Sequence, residues 1–219
     1  MTEYFEFMAS HPELFINQDD KSSITILKDP EDIKRVEKTT NQKVGIMYKD
    51  NYIILLKDAV VLPDHSDGMY IRIIPANGKS GSVILPIVND KILLINHYRH
   101  ALRRFSWELP RGFAESHLSV IENAKKELYE ECGLKAKKCE ILGRITTDSG
   151  LLGSEPWIVK ALIEEKEAAV ISSNDSTEAI KDFKLVSIGE LSNMISQGLI
   201  TDSFTISAVF LAKAKNLLA

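Results

Sequence analysis

Three glutamates, Glu127, Glu130 and Glu131, lie within about one helical turn of each other near the middle of the chain. Like charges this close repel, so a helix gains no stability from grouping them. The ordinary account is a solvated, charge-rich helix face. The other is a bound hard cation, because oxygen-rich carboxylate clusters suit Mg2+ or Mn2+. The flanking residues say how the carboxylates would be positioned. Ser119, followed three residues later by Glu122, forms a capping box that starts a helix. Gly133 supplies the left-handed residue that ends one. Between them Ile121, Ala124 and Leu128 recur at spacings of three and four, which makes one apolar face. The three carboxylates therefore border a buried stripe on a helix of fixed length.

Taken as a whole, residues 112–134, GFAESHLSVIENAKKELYEECGL, resemble the Nudix box, G-x5-E-x7-R-E-U-x-E-E-x-G-U, with U a bulky aliphatic residue. Gly112, Glu127, Leu128, Glu130, Glu131, Gly133 and Leu134 fall on its fixed positions. Leu118 stands where the pattern has its first Glu, and Lys126 where it has Arg. In the family those two residues orient the helix, so both sides of one interaction have changed together. Lys126 is expected to be held instead by Glu122, four residues before it, or by Glu115. The residues ahead of the box extend the resemblance. Tyr98 and Arg99, followed by Glu108, Leu109, Pro110 and Gly112, are similar to a Tyr-Arg and Glu-Leu-Pro-x-Gly pair in Nudix hydrolases of the ADP-ribose and nucleoside-diphosphate-sugar type.

The resemblance implies an α/β fold, the Nudix-type α/β/α sandwich with a mixed sheet. It implies Mg2+, or Mn2+, held by Glu127, Glu130, Glu131 and the backbone carbonyl of Ala114. It implies hydrolysis of a nucleoside diphosphate linked to another moiety, ADP-ribose or a nucleotide sugar. Arg99 would contact a substrate phosphate, which suits a guanidinium fork. Glu130 and Glu131 would serve catalysis, as would Glu178, which matches a glutamate in the loop after the box; Asp175 is the alternative there. Glu155 is similar to a residue near substrate or metal. The alternatives are a nucleoside triphosphate or capped-RNA hydrolase, and a weakly catalytic nucleotide-binding module.

Other reactive residues read as structural. Arg103 and Arg104 suit a solvated surface. His97, His100 and His117 lack the spacing of a metal pair on a helix and read as packing or surface groups. Phe105 and Trp107 read as core. Cys132 and Cys139, the two cysteines, make no metal pattern and read as reduced thiols.

The elements that must hold these residues follow from the apolar pattern. Hydrophobic residues make up 44% of the 219 residues, enough for a sizeable core. Residues 1–42 read as a helical, turn-rich appendage with Asp29 and Pro30 starting its second helix. Phe5, Phe7 and Phe15 there could bury an edge or stack on a base. Residues 43–219 read as the Nudix domain: Val/Ile/Leu-rich strands, with Asn89-Asp90 as a hairpin turn, then the box helix, more strands and two final helices. In the last of these, Ile206, Val209, Phe210 and Ala214 are expected to face the core. The polar stretch 170–183 has the composition of a lid. A net charge of −4 gives no basic field for long nucleic acid, so a small nucleotide is the expected partner. No apolar run is long enough to span a bilayer and the N-terminus does not read as a signal peptide. A cytoplasmic protein, dimeric as the family often is, is the expectation.

Overall fold

The computed structural model describes residues 2–167 and 171–218, and the chain divides into two compact units. The first comprises Met1–Gly78 with Asp148–Gly153. It contains α1 (Thr2–Ser10), a short 3-10 turn (Pro12–Phe15), β1 (Thr25–Ile26), α2 (Pro30–Thr40), β2 (Gly45–Lys49), β3 (Ile53–Val61) and β4 (Asp67–Pro75). Residues 1–42 thus fold together with the strands that follow them. Asp29 caps α2 by accepting from the Glu31 amide at 2.8 Å, and Pro30 opens the helix where its missing N–H costs nothing. All strand pairings here are antiparallel: β4 pairs along the full length of β3, while β1 and β2 share its other edge.

The core of this unit is aromatic. Tyr4, Phe7 and Phe15 pack with Ile33, Val36, Ile54, Leu56 and Ile74, and Phe5 is partly buried beside them. Phe7 and Phe15 therefore bury their rings within their own unit. One buried carboxylate, Asp58, is satisfied from two sides. Tyr4 donates to it at 2.5 Å and Arg72 Nε donates at 2.6 Å, while Arg72 Nη1 reaches the Leu14 carbonyl at 2.6 Å. The Arg72 guanidinium also lies 4.7 Å from the Phe15 ring centroid. Segment Asp148–Gly153 adds to β4: Ile73 donates to the Leu151 carbonyl and Gly153 donates to the Ile73 carbonyl, both at 2.8 Å.

The second unit, Lys79–Thr147 with Ser154–Ala219, carries every residue of the candidate site. Its elements are β5 (Ser82–Val88), β6 (Lys91–Arg99), β7 (Arg104–Glu108), β8 (Arg111–Gly112), α3 (Val120–Cys132), β9 (Ala136–Arg144), β10 (Trp157–Ile163), β11 (Ile180–Val186), α4 (Ile188–Ser196) and α5 (Ser203–Ala214). Asn89 and Asp90 both have positive φ, 44° and 61°, as a two-residue turn matching the strand twist demands. The strand order is β11-β6-β5-β10-β9, with β7 paired to β6 and β8 to β5. The sheet is mixed because β10 runs parallel to β5. All seven residues of β5 are buried, and they alternate between two layers. Val83, Leu85 and Ile87 meet Leu191, Met194, Ala208 and Val209 from α4 and α5. Ile84 and Val88 meet Ala124, Leu128 and Cys132 from α3. This is the expected α/β/α sandwich.

The last helix differs from its expected face. Thr205, Ala208, Val209 and Ala212 are buried, whereas Phe210 is 73% exposed, Ile206 lies at the margin and Ala214 is exposed. The helix is apolar nearly all round, so its periodicity does not select a face. Hydrogen bonding does. Thr205 Oγ1 accepts from the Leu109 amide at 2.9 Å and donates to Asp202, the N-cap, at 2.7 Å. That fixes 205, 208, 209 and 212 inward. Among the described residues no helix is long and apolar enough to cross a membrane.

In the first unit, Phe15→Ala is expected to cost about 3–5 kcal/mol, because it removes a fully buried ring and its contact with Arg72. Urea unfolding monitored by circular dichroism measures this.

Candidate functional site

The site starts with the pleat of β6. Ile95, His97 and Arg99 alternate onto one face, the face on which α3 packs. Across the ladder to β7, Ile95 is opposite Glu108 and His97 is opposite Ser106. Residues directly opposite share a face, so Glu108 enters the same layer. Glu108 is 1% exposed, and burying a carboxylate this deeply requires a partner. Arg99 forms an ion pair with it, and Arg111 lies 3.6 Å away on the other oxygen. Arg111 also bonds Asp202 at 2.8 Å and stacks over the Phe204 ring at 4.1 Å.

Helix α3 supplies the remaining carboxylates. Its capping box forms as expected, with Ser119 accepting from the Glu122 amide and Glu122 accepting from the Ser119 amide. Gly133 ends it at φ 70°. Glu127 and Glu131, one turn apart, point into the layer containing Glu108. Glu131 is 2% exposed and accepts from the Arg111 amide at 2.9 Å. Glu127 lies against Gly112, where a Cβ would sit 2.1 Å from its Oε2; only glycine leaves room for that carboxylate. The loop that carries Ala114 is tied down by Asn123, which accepts from the Glu115 amide at 3.1 Å and donates to Ser82 Oγ at 3.1 Å.

Lys126 pairs with Glu130 at 2.5 Å and with Glu115 at 3.0 Å, and lies 3.7 Å from Glu127. Of the two partners expected for it, Glu115 is the one in contact, since Glu122 is engaged in the cap. Burial works against the Lys126 ammonium, but Glu130 and Glu115 outweigh it and hold its pKa above the ordinary lysine value. Glu130 sits on the more open side of the helix, its side chain 38% exposed.

The polar stretch beyond Val170, which itself lies outside the described residues, is bonded to the end of α3. Asn174 donates its amide to the Glu130 carbonyl at 2.8 Å and its side chain to the Tyr129 carbonyl at 2.9 Å, and the Ser172 amide donates to the Cys132 carbonyl at 3.2 Å. These are carbonyls of the last helical turn; that of Tyr129 also accepts from the Gly133 amide at 2.8 Å. The docking places Glu178 beside His97, with 3.2 Å between Oε2 and Nε2. Asp175 is occupied closer to home, accepting from the Thr177 amide and hydroxyl. Glu155 pairs with Arg144 at 3.5 Å, its side chain 56% exposed.

His97 and Glu108 are what sequence reasoning underrated. His97 is 7% exposed, with Nδ1 3.6 Å from Glu108 and 3.9 Å from Glu131. The available signal was its alternation with Ile95 and Arg99 in a strand, which put it on the site's face. His100 and His117 are exposed. Arg103 bonds His100 at 2.9 Å and Arg104 reaches Thr201 at 3.3 Å, both exposed. Trp107 packs against the core as expected, but Phe105 is 45% exposed, on the outward side of β7, with its edge to Tyr98.

The electrostatics fit a bound divalent cation. Burial pushes the Glu127 carboxyl up to about 7; Lys126 opposes this, while Glu130, Glu178 and Glu115 add to it. Burial pushes Glu131 up to about 8, against the Arg111 amide, and Glu178 and Glu127 raise it further. Carboxylates packed this way without a cation hold protons that water would remove. The donors are hard oxygens, Gly112 clears space for one of them, and Glu108 Oε2 and His97 Nδ1 are buried without a hydrogen-bond partner.

The raised values give a sign to the pH dependence of stability. The unfolded chain ionises both groups near 4.5, whereas the folded chain retains their protons to about 7 and about 8. The folded state binds more protons across that window, so stability is highest at its acidic end and falls as pH rises through it. Metal-free protein is expected to lose stability from about pH 5 to about pH 8, from these groups, with a flatter profile in Glu131→Gln. Denaturant midpoints across that range check it.

The model of the NUDIX domain family matches residues 79–203, so the match begins at the second compact unit. Among curated proteins, the chain is 30% identical over 93 residues to the ADP compounds hydrolase NudE of Escherichia coli (strain K12), covering 42% of this chain and 50% of that protein. It is 26% identical over 129 residues to the methanol dehydrogenase activator of Bacillus methanolicus, covering 58% of this chain and 68% of that protein. The chain therefore spans half the length of the first of these relatives and about two thirds of the second. A crystal structure of an ADP compounds hydrolase superposes with a TM-score of 0.69 at 19% identity, covering 92% of this chain and 100% of that one, which is a likeness of fold. With the box helix, its glutamates and the sheet they pack on all inside the matched span, the chain belongs to the Nudix domain family.

Proposed function

We propose that this chain hydrolyses the diphosphate of a nucleoside diphosphate linked to another moiety, ADP-ribose or a nucleotide sugar, to a nucleoside monophosphate and a sugar phosphate. The observation that carries this is the convergence of Glu127, Glu131 and Glu178, with Arg99 at the same face, on one partly buried cluster in the second unit. Its likeness to the ADP compounds hydrolase of Escherichia coli supports an ADP-containing substrate.

Glu127, Glu130, Glu131 and the Ala114 carbonyl would hold the divalent ions, Mg2+ or Mn2+. When bound, these supply Lewis-acid charge to the diphosphate and make water easier to deprotonate. The chain's own groups do the rest. Arg99 exchanges part of its pairing with Glu108 for a phosphate oxygen, offering a planar fork to the charge that develops as the anhydride breaks. Glu178 takes the proton of the attacking water, whose oxygen bonds to one phosphorus while the other phosphate leaves. The hydrogen bond from His97 lowers the Glu178 pKa, with burial opposing it, so the carboxylate stays ionised and ready to accept. To hold the ions, Glu130 would exchange its contact with Lys126 for them, and Glu127 and Glu131, whose carboxyls burial raises, would give up protons.

The test is release of nucleoside monophosphate from ADP-ribose, nucleotide sugars, dinucleotides and triphosphates, with and without Mg2+. Metal-dependent cleavage of a diphosphate is expected, and Glu178→Gln should lower kcat by about 10²–10⁴. Tight binding of one of these compounds without turnover would instead make the chain a nucleotide-binding module. Preferred cleavage of triphosphates would move the substrate class.

A further inference from the structure

We propose that His97 is a metal ligand together with Glu131 and Glu178, and that its imidazole nitrogen makes this position favour a divalent transition ion, of the Mn2+ to Zn2+ series, over Mg2+. This rests on reading the cluster as a metal-dependent site and adds a residue that the Nudix box does not contain; the ion then replaces the His97 hydrogen bond in keeping Glu178 ionised, and the second Glu178 oxygen is left to accept the proton of water.

Three observations carry it. One ligand atom from each of His97, Glu131 and Glu178 lies within 4.8 Å of the other two. A single ion bonding nitrogen and oxygen at about 2.0–2.2 Å can bridge such a span with small side-chain movements. Second, His97 Nδ1 is buried and makes no hydrogen bond; it faces Glu108 at 3.6 Å and Glu131 at 3.9 Å, both too long for one. No hydrogen bond therefore holds the ring on that side, and a small shift lets Nδ1–H donate to Glu108 once Nε2 takes an ion. Third, the ring is positioned by backbone on both sides. His97 pairs with Ser106 of β7 and with Ile180 of β11, two residues after Glu178. The sheet therefore sets the spacing of His97 and Glu178 before any ion arrives.

The surroundings also suit a ligating imidazole. A histidine that gives one nitrogen to a metal commonly donates the other N–H to a carboxylate, which fixes its tautomer. With Nε2 as the ligand, Nδ1–H is left facing Glu108, itself buried and held by Arg99. Adding nitrogen to an otherwise oxygen-rich set changes which ion wins. Carboxylate and carbonyl oxygens suit Mg2+, whereas imidazole favours the later divalent ions of the first transition row.

Binding, and not turnover, provides the test. Metal-free full-length protein labelled with 15N in its histidines is titrated with Zn2+, and calorimetry compares Co2+ with Mg2+ for the wild type and His97→Gln. The ring nitrogens assigned to His97 should shift on Zn2+ addition. Co2+ should bind more tightly than Mg2+, and His97→Gln should weaken Co2+ by at least the roughly 10-fold that even an outer-shell partner of a metal is worth, while Mg2+ affinity changes far less. Silent His97 resonances would overturn the proposal, as would equal losses for the two ions or no metal binding at all. If His97→Gln does not fold, the labelled wild type decides. Metal bound through His97 without diphosphate cleavage would sink the hydrolase reading alone. Mg2+-dependent cleavage with His97 silent would sink this one alone.

Discussion

The second unit is arranged around the burial of carboxylates on one face of a sheet. Glu108 and Glu131 are almost fully enclosed and Glu127 is mostly so. Taking a carboxylate out of water is costly, and grouping several adds mutual repulsion. The chain offsets part of that. Arg99 pairs with Glu108, the Arg111 amide reaches Glu131, and Lys126 sits at the edge between Glu115, Glu127 and Glu130. Arg111 lies between Asp202, at 2.8 Å, and Glu108, at 3.6 Å. Burial first, and the neighbouring carboxylates second, raise the pKa values of Glu127 and Glu131, and a divalent cation would offset both.

Much of the fold follows from keeping these groups in register. The fully buried strand β5 anchors α3 on one side and α4 and α5 on the other. Its pairing with β8 brings Gly112 against Glu127, where a side chain would displace the carboxylate. The loop before β11 caps the end of α3 with its own amides and so delivers Glu178 to the far side of the cluster. The first unit has a different logic: an aromatic core and one buried ionic network, Tyr4–Asp58–Arg72, that fastens the N-terminal segment to β3 and β4.

What the sequence disclosed was what depends on local spacing. The capping box, the Gly133 stop, the Asn89-Asp90 turn and the glutamates of α3 are all written within a few residues of each other, and the sandwich follows from the strand and helix pattern. What it hid depends on contacts across the chain. His97 lies in a strand, and only the pairing with β7 and β11 shows that its neighbours are carboxylates. Glu108 stood as a landmark in a motif, with nothing local to reveal its burial. The face of α5 is not legible in its sequence, because the helix is apolar on most sides and a single hydroxyl, Thr205, bonded to the Leu109 amide, sets its rotation. Glu122 and Glu115 are both within reach of Lys126 in sequence; the cap claims Glu122, and Glu115 makes the contact.

The central claim is that these buried carboxylates are kept for a divalent cation, which must displace their protons to bind. Proton release on metal binding tests this most directly. Calorimetric titration with Mn2+ in buffers of different ionisation enthalpy counts the protons. Release that is larger at about pH 6.5 than at about pH 8.5, and reduced in Glu131→Gln, is the result expected from groups titrating near 7 and 8. Binding without proton release at either pH, or no binding, would contradict the account.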